Sequence, residues 1–329
     1  MMKNGPFEQL QAHLSKDMQA VNTLIRTRMA SEHAPRIPEV TAHLVEAGGK
    51  RLRPMLTLAT ANMLGYAGTD HVKLASTVEF IHTATLLHDD VVDESTQRRG
   101  RATANLLWDN KSSVLVGDYL FARSFQLMCE VGNLRVLDIL ANASAVIAEG
   151  EVLQLTAAQN LATSEAIYLQ VIRGKTAALF AAACEVGGVI AKAPDTHITA
   201  LHTYGDALGI SFQIVDDLLD YGGASAKLGK NTGDDFREGK LTLPVILAIA
   251  NATPKERLFW VKVIEKRQQD DGDLAHAMAL FAKYTTLEQT RTKALIWAEK
   301  AKSALAPLPD CELKTLLENL SDFVVSRVL

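Results

Sequence analysis

Two long apolar runs with helical periodicity end in the same acidic pattern, and any fold of this chain must find a place for both. Residues 79–93 read Glu-Phe-Ile-His-Thr-Ala-Thr-Leu-Leu-His-Asp-Asp-Val-Val-Asp, and residues 211–220 read Ser-Phe-Gln-Ile-Val-Asp-Asp-Leu-Leu-Asp. On a helix Asp89 and Asp93 lie one turn apart on one face, as do Asp216 and Asp220, with Asp90 and Asp217 flanking them. His82 and Thr85 fall close to the face of Asp89. Carboxylates this close repel: two charges ~6 Å apart at an effective dielectric of ~20 cost about 3 kcal/mol. Positive charge therefore belongs among them. Hard carboxylate oxygens suit Mg²⁺, which commonly takes one or two carboxylates plus substrate phosphate oxygens. Arg98, Arg99 and Arg101 follow the first motif, and the guanidinium fork matches phosphate. One acidic helix end followed by a basic loop reads equally well as solvated surface. A second motif with identical offsets argues against that, because two such helices can face each other across a cavity and clamp metal ions.

The rest of the chain also reads as helix. Periodicity predicts helices over about 6–30, a short one after Pro35 and Pro38 to about Ala47, then 54–65, 70–95, 104–131, 134–160, 164–173 and 175–191, and again over about 195–221, 243–251, 254–267, 270–284, 287–304 and 310–327. No alternating β-branched run bounded by turns argues for a sheet, and no linker or repeat divides the sequence. One all-α domain over residues 1–329 is expected. A net charge of −4 gives no electrostatic reason to expect nucleic acid. Cys129, Cys184 and Cys311 fit neither a disulfide framework nor a zinc site, which suits a reducing compartment and a cytoplasmic protein. No signal core opens the sequence and no apolar run reaches 18 residues, so no membrane span is expected.

Three further segments carry polar chemistry. Gly48 to Pro54 places Lys50, Arg51 and Arg53 just beyond a glycine pair, a second anion site beside metal-binding candidates. Arg173-Gly174-Lys175-Thr176 interrupts a helical run without forming a Walker motif, and offers Lys175 and Thr176 to phosphate. Residues 222–240 form the longest polar loop, placed directly after Asp220, where a binding loop or lid is expected. Trp260 and Trp297 read as core rather than ligand-stacking residues.

Taken in order, Gly48 to Pro54, Glu79 to Arg101, Gly174-Lys175-Thr176, Ser211 to Tyr221 and Gly229 to Pro244 resemble the trans-isoprenyl diphosphate synthases, and within them the long-chain polyprenyl group. The resemblance implies a bundle of long helices around a deep central cavity, as a homodimer. Asp89, Asp90, Asp93, Asp216, Asp217 and Asp220 match the family's metal-binding aspartates, which would hold three Mg²⁺ ions once an allylic diphosphate is bound. Arg98, Lys175, Thr176, Gln213, Lys230 and Lys240 match its positions around the allylic substrate. Lys50, Arg53, His82 and Arg99 match its isopentenyl diphosphate site.

The implied reaction ionises the allylic C–O bond, adds isopentenyl diphosphate to the cation and eliminates a proton to the released diphosphate, in an apolar cavity that excludes water. In short-chain members of the family, aromatics four or five residues before the first Asp close the pocket. Here those positions are Thr85 and Ala84, both small. Long all-trans products of about eight to ten units are therefore expected, octaprenyl diphosphate being one, made from farnesyl diphosphate for a quinone side chain, because small residues leave the volume aromatics would fill. Phe121, Phe125 and Met128 are candidates for a deeper floor. The competing readings are a short-chain synthase, a class I terpene cyclase and a noncatalytic subunit of a heteromeric synthase. The full second Asp-Asp-x-x-Asp argues against the second, and the six intact aspartates against the third.

Overall fold

The computed structural model describes residues 5–46, 48–222 and 233–328, and among them helix follows helix as the periodicity requires. In chain order they are α1 (Pro6–His13), α2 (Ser15–Met29), α3 (Arg36–Glu46), α4 (Leu52–Met63) and α5 (Asp70–Val92). A minimal antiparallel hairpin, β1 (Gln97–Arg98) and β2 (Arg101–Ala102), precedes α6 (Ala104–Leu107), α7 (Asn110–Val131), α8 (Leu134–Ala157) and α9 (Glu165–Ile172). There follow α10 (Ala178–Ile190), α11 (Asp195–Tyr221), α12 (Asp234–Arg237), α13 (Leu243–Ala250), α14 (Pro254–Trp260), α15 (Asp273–Lys283), α16 (Thr286–Ala304) and α17 (Glu312–Ser326). The all-α expectation holds. None of the described helices is long and apolar enough to cross a membrane.

Three stretches differ in detail from what periodicity predicts. The first run breaks at Leu14 into α1 and α2. The run over 104–131 breaks where the Asp109 carboxylate accepts the Ser112 N–H at 2.6 Å and starts α7 afresh. The break expected at Arg173–Thr176 is instead a π-helical turn, Arg173–Ala177, that carries α9 directly into α10. Here α8 crosses so closely that a Cβ on Gly174 would lie 2.8 Å from the Gly150 Cα, so neither glycine admits a side chain. Such single π-turns inside helices often sit at functional sites.

The chain divides into two compact units. The first comprises residues 1–144, 179–202 and 307–317. At its centre α4 buries nearly every side chain, and α5 packs against α2, α4 and α7. The polar members of α4 are tolerated because their hydroxyls bond back one turn, as Thr60 does to the Leu56 carbonyl at 2.9 Å. This packing holds the first acidic motif at the end of α5.

The second unit comprises residues 145–178, 203–306 and 318–329. Its aromatic core stacks Trp260 on Phe281, with centroids 6.1 Å apart, and sets Tyr221 edge-on to Phe281 at 5.1 Å. Tyr221 directly follows Asp220, so this core anchors the end of the second motif. Trp260 is buried as expected, whereas Trp297 is half-buried beneath two cations, Lys300 at 4.4 Å and Arg173 at 5.8 Å from its ring.

Candidate active site

In the first unit the aspartates occupy the end of α5, and Asp93 caps it, its N–H reaching the Asp89 carbonyl at 2.8 Å. A helix C-terminus carries negative potential, so each carboxylate there is disfavoured by about 0.3–1 kcal/mol unless a cation joins it. The three side chains divide the work. Asp93 is exposed and Asp89 half-buried, whereas Asp90 is fully buried. Its Oδ1 accepts from Arg98 Nε at 2.9 Å and Nη2 at 2.8 Å, while Oδ2 has no hydrogen-bond partner among the described residues. Burial raises the Asp90 pKa, and the bond from Arg98 opposes it. A cavity of about 20 Å³ lined by Arg51, Glu79, Thr83, Asp90, Arg98 and Arg99 has room for one water.

Arg98 lies on β1, and the hairpin pairs it with Arg101 across a two-residue turn. Both turn residues, Arg99 and Gly100, have positive φ, 54° and 75°, the geometry of a type I′ turn. That turn aims Arg99 back at the glycine pair: a Cβ on Gly49 would come within 2.7 Å of its Nη1. Arg51 is ion-paired with the buried Glu79. Arg53 holds Nη1 3.2 Å from His82 Nε2 and lies 4.5 Å above the Phe180 ring. Burial first, then the charges of Arg53, Arg99, Arg98 and Arg51, press the His82 pKa well below its usual value, so the ring is neutral and accepts from Arg53. Lys50 stands 5.8 Å from the Phe7 ring. The basic segment after the glycines, His82 and Arg99 thus share one neighbourhood. Just before the motif on the same helix, Ala84 is fully buried, and half-buried Thr85 bonds its hydroxyl to the His82 carbonyl at 2.9 Å.

In the second unit the other three aspartates occupy the last turns of α11. Asp216 Oδ1 accepts from Arg327 Nη2 at 3.1 Å. Asp217 is buried; its Oδ2 accepts from the Tyr168 hydroxyl at 2.7 Å and its Oδ1 from Gln213 Nε2 at 2.8 Å. Gln213 Oε1 in turn accepts from Thr176 Oγ1 at 2.8 Å. Asp220 accepts the backbone N–H groups of Asp234 at 3.2 Å and Asp235 at 3.0 Å. Burial, then the charge of Asp235, pushes Asp217 up to about 8 and Asp220 up to about 6. Burial and the adjacent Asp217 carboxylate hold the Tyr168 hydroxyl well above its usual range, so it remains a donor. Lys175 pairs with Glu151 at 2.9 Å, and Lys240 with Glu238 at 2.6 Å and Asp235 at 3.4 Å. Lys230 lies outside the described residues.

Sequence reasoning passed over Glu79, Glu151, Tyr168 and Arg327. Glu79 alone left a signal, a single carboxylate inside an apolar run; the others stand in ordinary amphipathic patterns. Among the described residues no three His, Cys, Asp or Glu side chains already converge on one point as metal ligands. The carboxylates are spread over two helix ends. Their donors are hard oxygens, and Asp217 and Asp220 are held away from their ordinary ionisation by burial and by Asp235. That donor set fits Mg²⁺, and the surrounding arginines and lysines fit diphosphate.

The family model described as polyprenyl synthetase matches residues 34–281. Octaprenyl diphosphate synthase of Escherichia coli (strain K12) is 42% identical over 322 residues, covering 97% of this chain and 98% of that one. The crystal structure of a decaprenyl diphosphate synthase from Rhodobacter capsulatus is similar with a TM-score of 0.96 and 72% identity, over 98% of this chain and 99% of that one. A polyprenyl synthase from Caulobacter crescentus CB15, complexed with calcium and isoprenyl diphosphate, is similar with a TM-score of 0.93 and 51% identity, over 99% of each chain.

Proposed function

Because the chain belongs to the polyprenyl synthetase family, we propose that it lengthens an allylic diphosphate, farnesyl diphosphate first, by repeated addition of isopentenyl diphosphate. It is a prenyltransferase of the long-chain kind. The observation that carries the reading is that both aspartate sets crowd a helix C-terminus, where each carboxylate is disfavoured by about 0.3–1 kcal/mol and a bound cation relieves that cost. The Caulobacter relative supports this, being complexed with calcium and isoprenyl diphosphate.

In this reading Asp89, Asp90, Asp93, Asp216, Asp217 and Asp220 hold Mg²⁺, and Asp90 also fixes Arg98 through Oδ1. Bound Mg²⁺ supplies charge neutralisation that lets diphosphate leave the allylic carbon. Arg98, Lys175, Thr176, Gln213, Lys230 and Lys240 bind and orient that diphosphate. Lys50, Arg53 and Arg99 hold isopentenyl diphosphate, with neutral His82 orienting Arg53. No side chain near the site needs to serve as the base, since the departed diphosphate can take the proton.

Products of eight to ten units, the long end supported by the name of the Rhodobacter relative, would supply a lipid-quinone side chain made in the cytoplasm. Leu106, Leu107, Val114, Leu115 and Phe125 expose apolar surface on α6 and α7, and this face suits a homodimer contact. The test is incubation with farnesyl diphosphate, isopentenyl diphosphate and Mg²⁺, followed by mass spectrometry of the extracted alcohols. A ladder ending at eight to ten units is expected; no condensation, or an unprimed hydrolysis product alone, overturns the reading.

A further inference from the structure

Resting on the reading of Asp217 as a metal ligand, we infer that Tyr168, which belongs to none of the sequence motifs, is a positioning residue that fixes the Asp217 carboxylate for the divalent cation. A carboxylate offers about four lone-pair positions on its two oxygens. Here one donor engages each oxygen, Tyr168 at 2.7 Å on Oδ2 and Gln213 at 2.8 Å on Oδ1. With both oxygens held, the group cannot rotate about its Cβ–Cγ bond without breaking a bond. The remaining lone pairs stay available to a cation.

The support is itself supported. Gln213 is held by Thr176, so the segment running from α9 through the π-helical turn touches α11 twice, through Tyr168 to Asp217 and through Thr176 to Gln213. The two contacts on α11 lie one turn apart, on one helix face. Tyr168 is 5% exposed, among Ile167, Leu169, Val171 and Ile172 of an apolar helix. A phenylalanine would pack there equally well, so the hydroxyl calls for a reason beyond packing. The Asp217 carboxylate provides it. Donors that orient a metal ligand typically change metal affinity 10–100-fold when removed.

Binding of inorganic diphosphate as a function of Mg²⁺, followed by calorimetry in the whole protein without isoprenoid substrate, tests the assignment. Tyr168→Phe should weaken Mg²⁺-dependent diphosphate binding about tenfold, and should raise the Mg²⁺ concentration for half-maximal turnover by a similar factor. Its kcat at saturating Mg²⁺ should stay near wild type, while its metal-free melting temperature should fall modestly because a buried carboxylate oxygen loses its donor. Tyr168→Leu, which removes the hydroxyl with different packing, should show the same Mg²⁺ dependence. Asp217→Ala is the control. If it loses Mg²⁺-dependent binding while both Tyr168 variants bind as wild type, the positioning role is overturned and the metal reading stands. If Asp217→Ala itself binds as wild type, the metal reading falls and this inference falls with it.

Discussion

Asp89 and Asp90 are neighbours in sequence that differ sharply in burial. Asp89 is half-buried at a helix end that disfavours negative charge, whereas Asp90 is fully buried and takes two bonds from Arg98. Asp89→Ala should therefore cost less stability than Asp90→Ala, and lower kcat by at least about 100-fold. Asp216→Ala should lower kcat similarly, with a stability effect set by its bond to Arg327. Asp90→Ala should instead cost about 1–3 kcal/mol of stability, because it strands a half-buried guanidinium. Urea unfolding of the three variants beside their kinetics decides the matter; equal destabilisation by Asp89→Ala and Asp90→Ala would remove the division of labour. On the basic side, Lys50→Ala and Arg53→Ala should raise the KM for isopentenyl diphosphate, while Lys175→Ala should raise that for the allylic substrate. A uniform rise in one KM would merge the two sites.

At the scale of elements, the hairpin between α5 and α6 holds Arg99 in a left-handed conformation that Gly or Asn adopts with less strain. Arg99→Asn should stabilise the protein by about 1 kcal/mol, read as a higher melting temperature, and weaken isopentenyl diphosphate binding. A lower melting temperature would mean that the contacts of Arg99 beside Gly49 outweigh the strain. The start of α14 shows a different device: Glu256 accepts from Lys283 at 2.6 Å, the Tyr284 hydroxyl at 2.7 Å and the Thr253 N–H at 2.8 Å. These bonds, that from Lys283 first, lower its pKa from 4.5 to about 2. A depressed carboxylate contributes stability above its unfolded pKa and loses it as pH falls through the folded value. The stability difference between wild type and Glu256→Gln should accordingly be full at neutral pH and shrink as pH drops below about 4.5 toward about 2. A difference independent of pH would show that the carboxylate charge is not involved. The helices and both aspartate sets were legible in the sequence because each is local, a 3.6-residue period or a five-residue motif. Tyr168, Glu79 and Arg327 were not, because their partners lie 49, 28 and 111 residues away. The π-helical turn was read as a break because the feature that accompanies it, the Gly150–Gly174 crossing, is likewise a tertiary contact.

For the molecule as a whole, what remains is how far the product can grow. The growing chain must extend away from its diphosphate, and on α5 the residue one turn before Asp89 is Thr85, whose small side chain is half-buried and whose hydroxyl is satisfied within its own helix. Ala84 is fully buried in the packing of the first unit, so Ala84→Phe would overfill that core at a cost of about 1–3 kcal/mol and would confound folding with specificity. Thr85→Phe is the cleaner probe. Of the floor candidates on α7, Phe121 stacks on the His88 ring beside Asp89, with centroids 6.1 Å apart, which places it level with the motif. Phe125 is 45% exposed and belongs to the apolar outer face. Met128, 2% exposed, has the burial a floor needs. Thr85→Phe should shift products toward farnesyl or geranylgeranyl length while condensation continues, and Met128→Ala should lengthen the wild-type distribution. Mass spectrometry of the extracted prenyl alcohols reads both. Long products from Thr85→Phe would show that the chain does not pass this position. A Met128→Ala distribution identical to wild type would move the floor off α7.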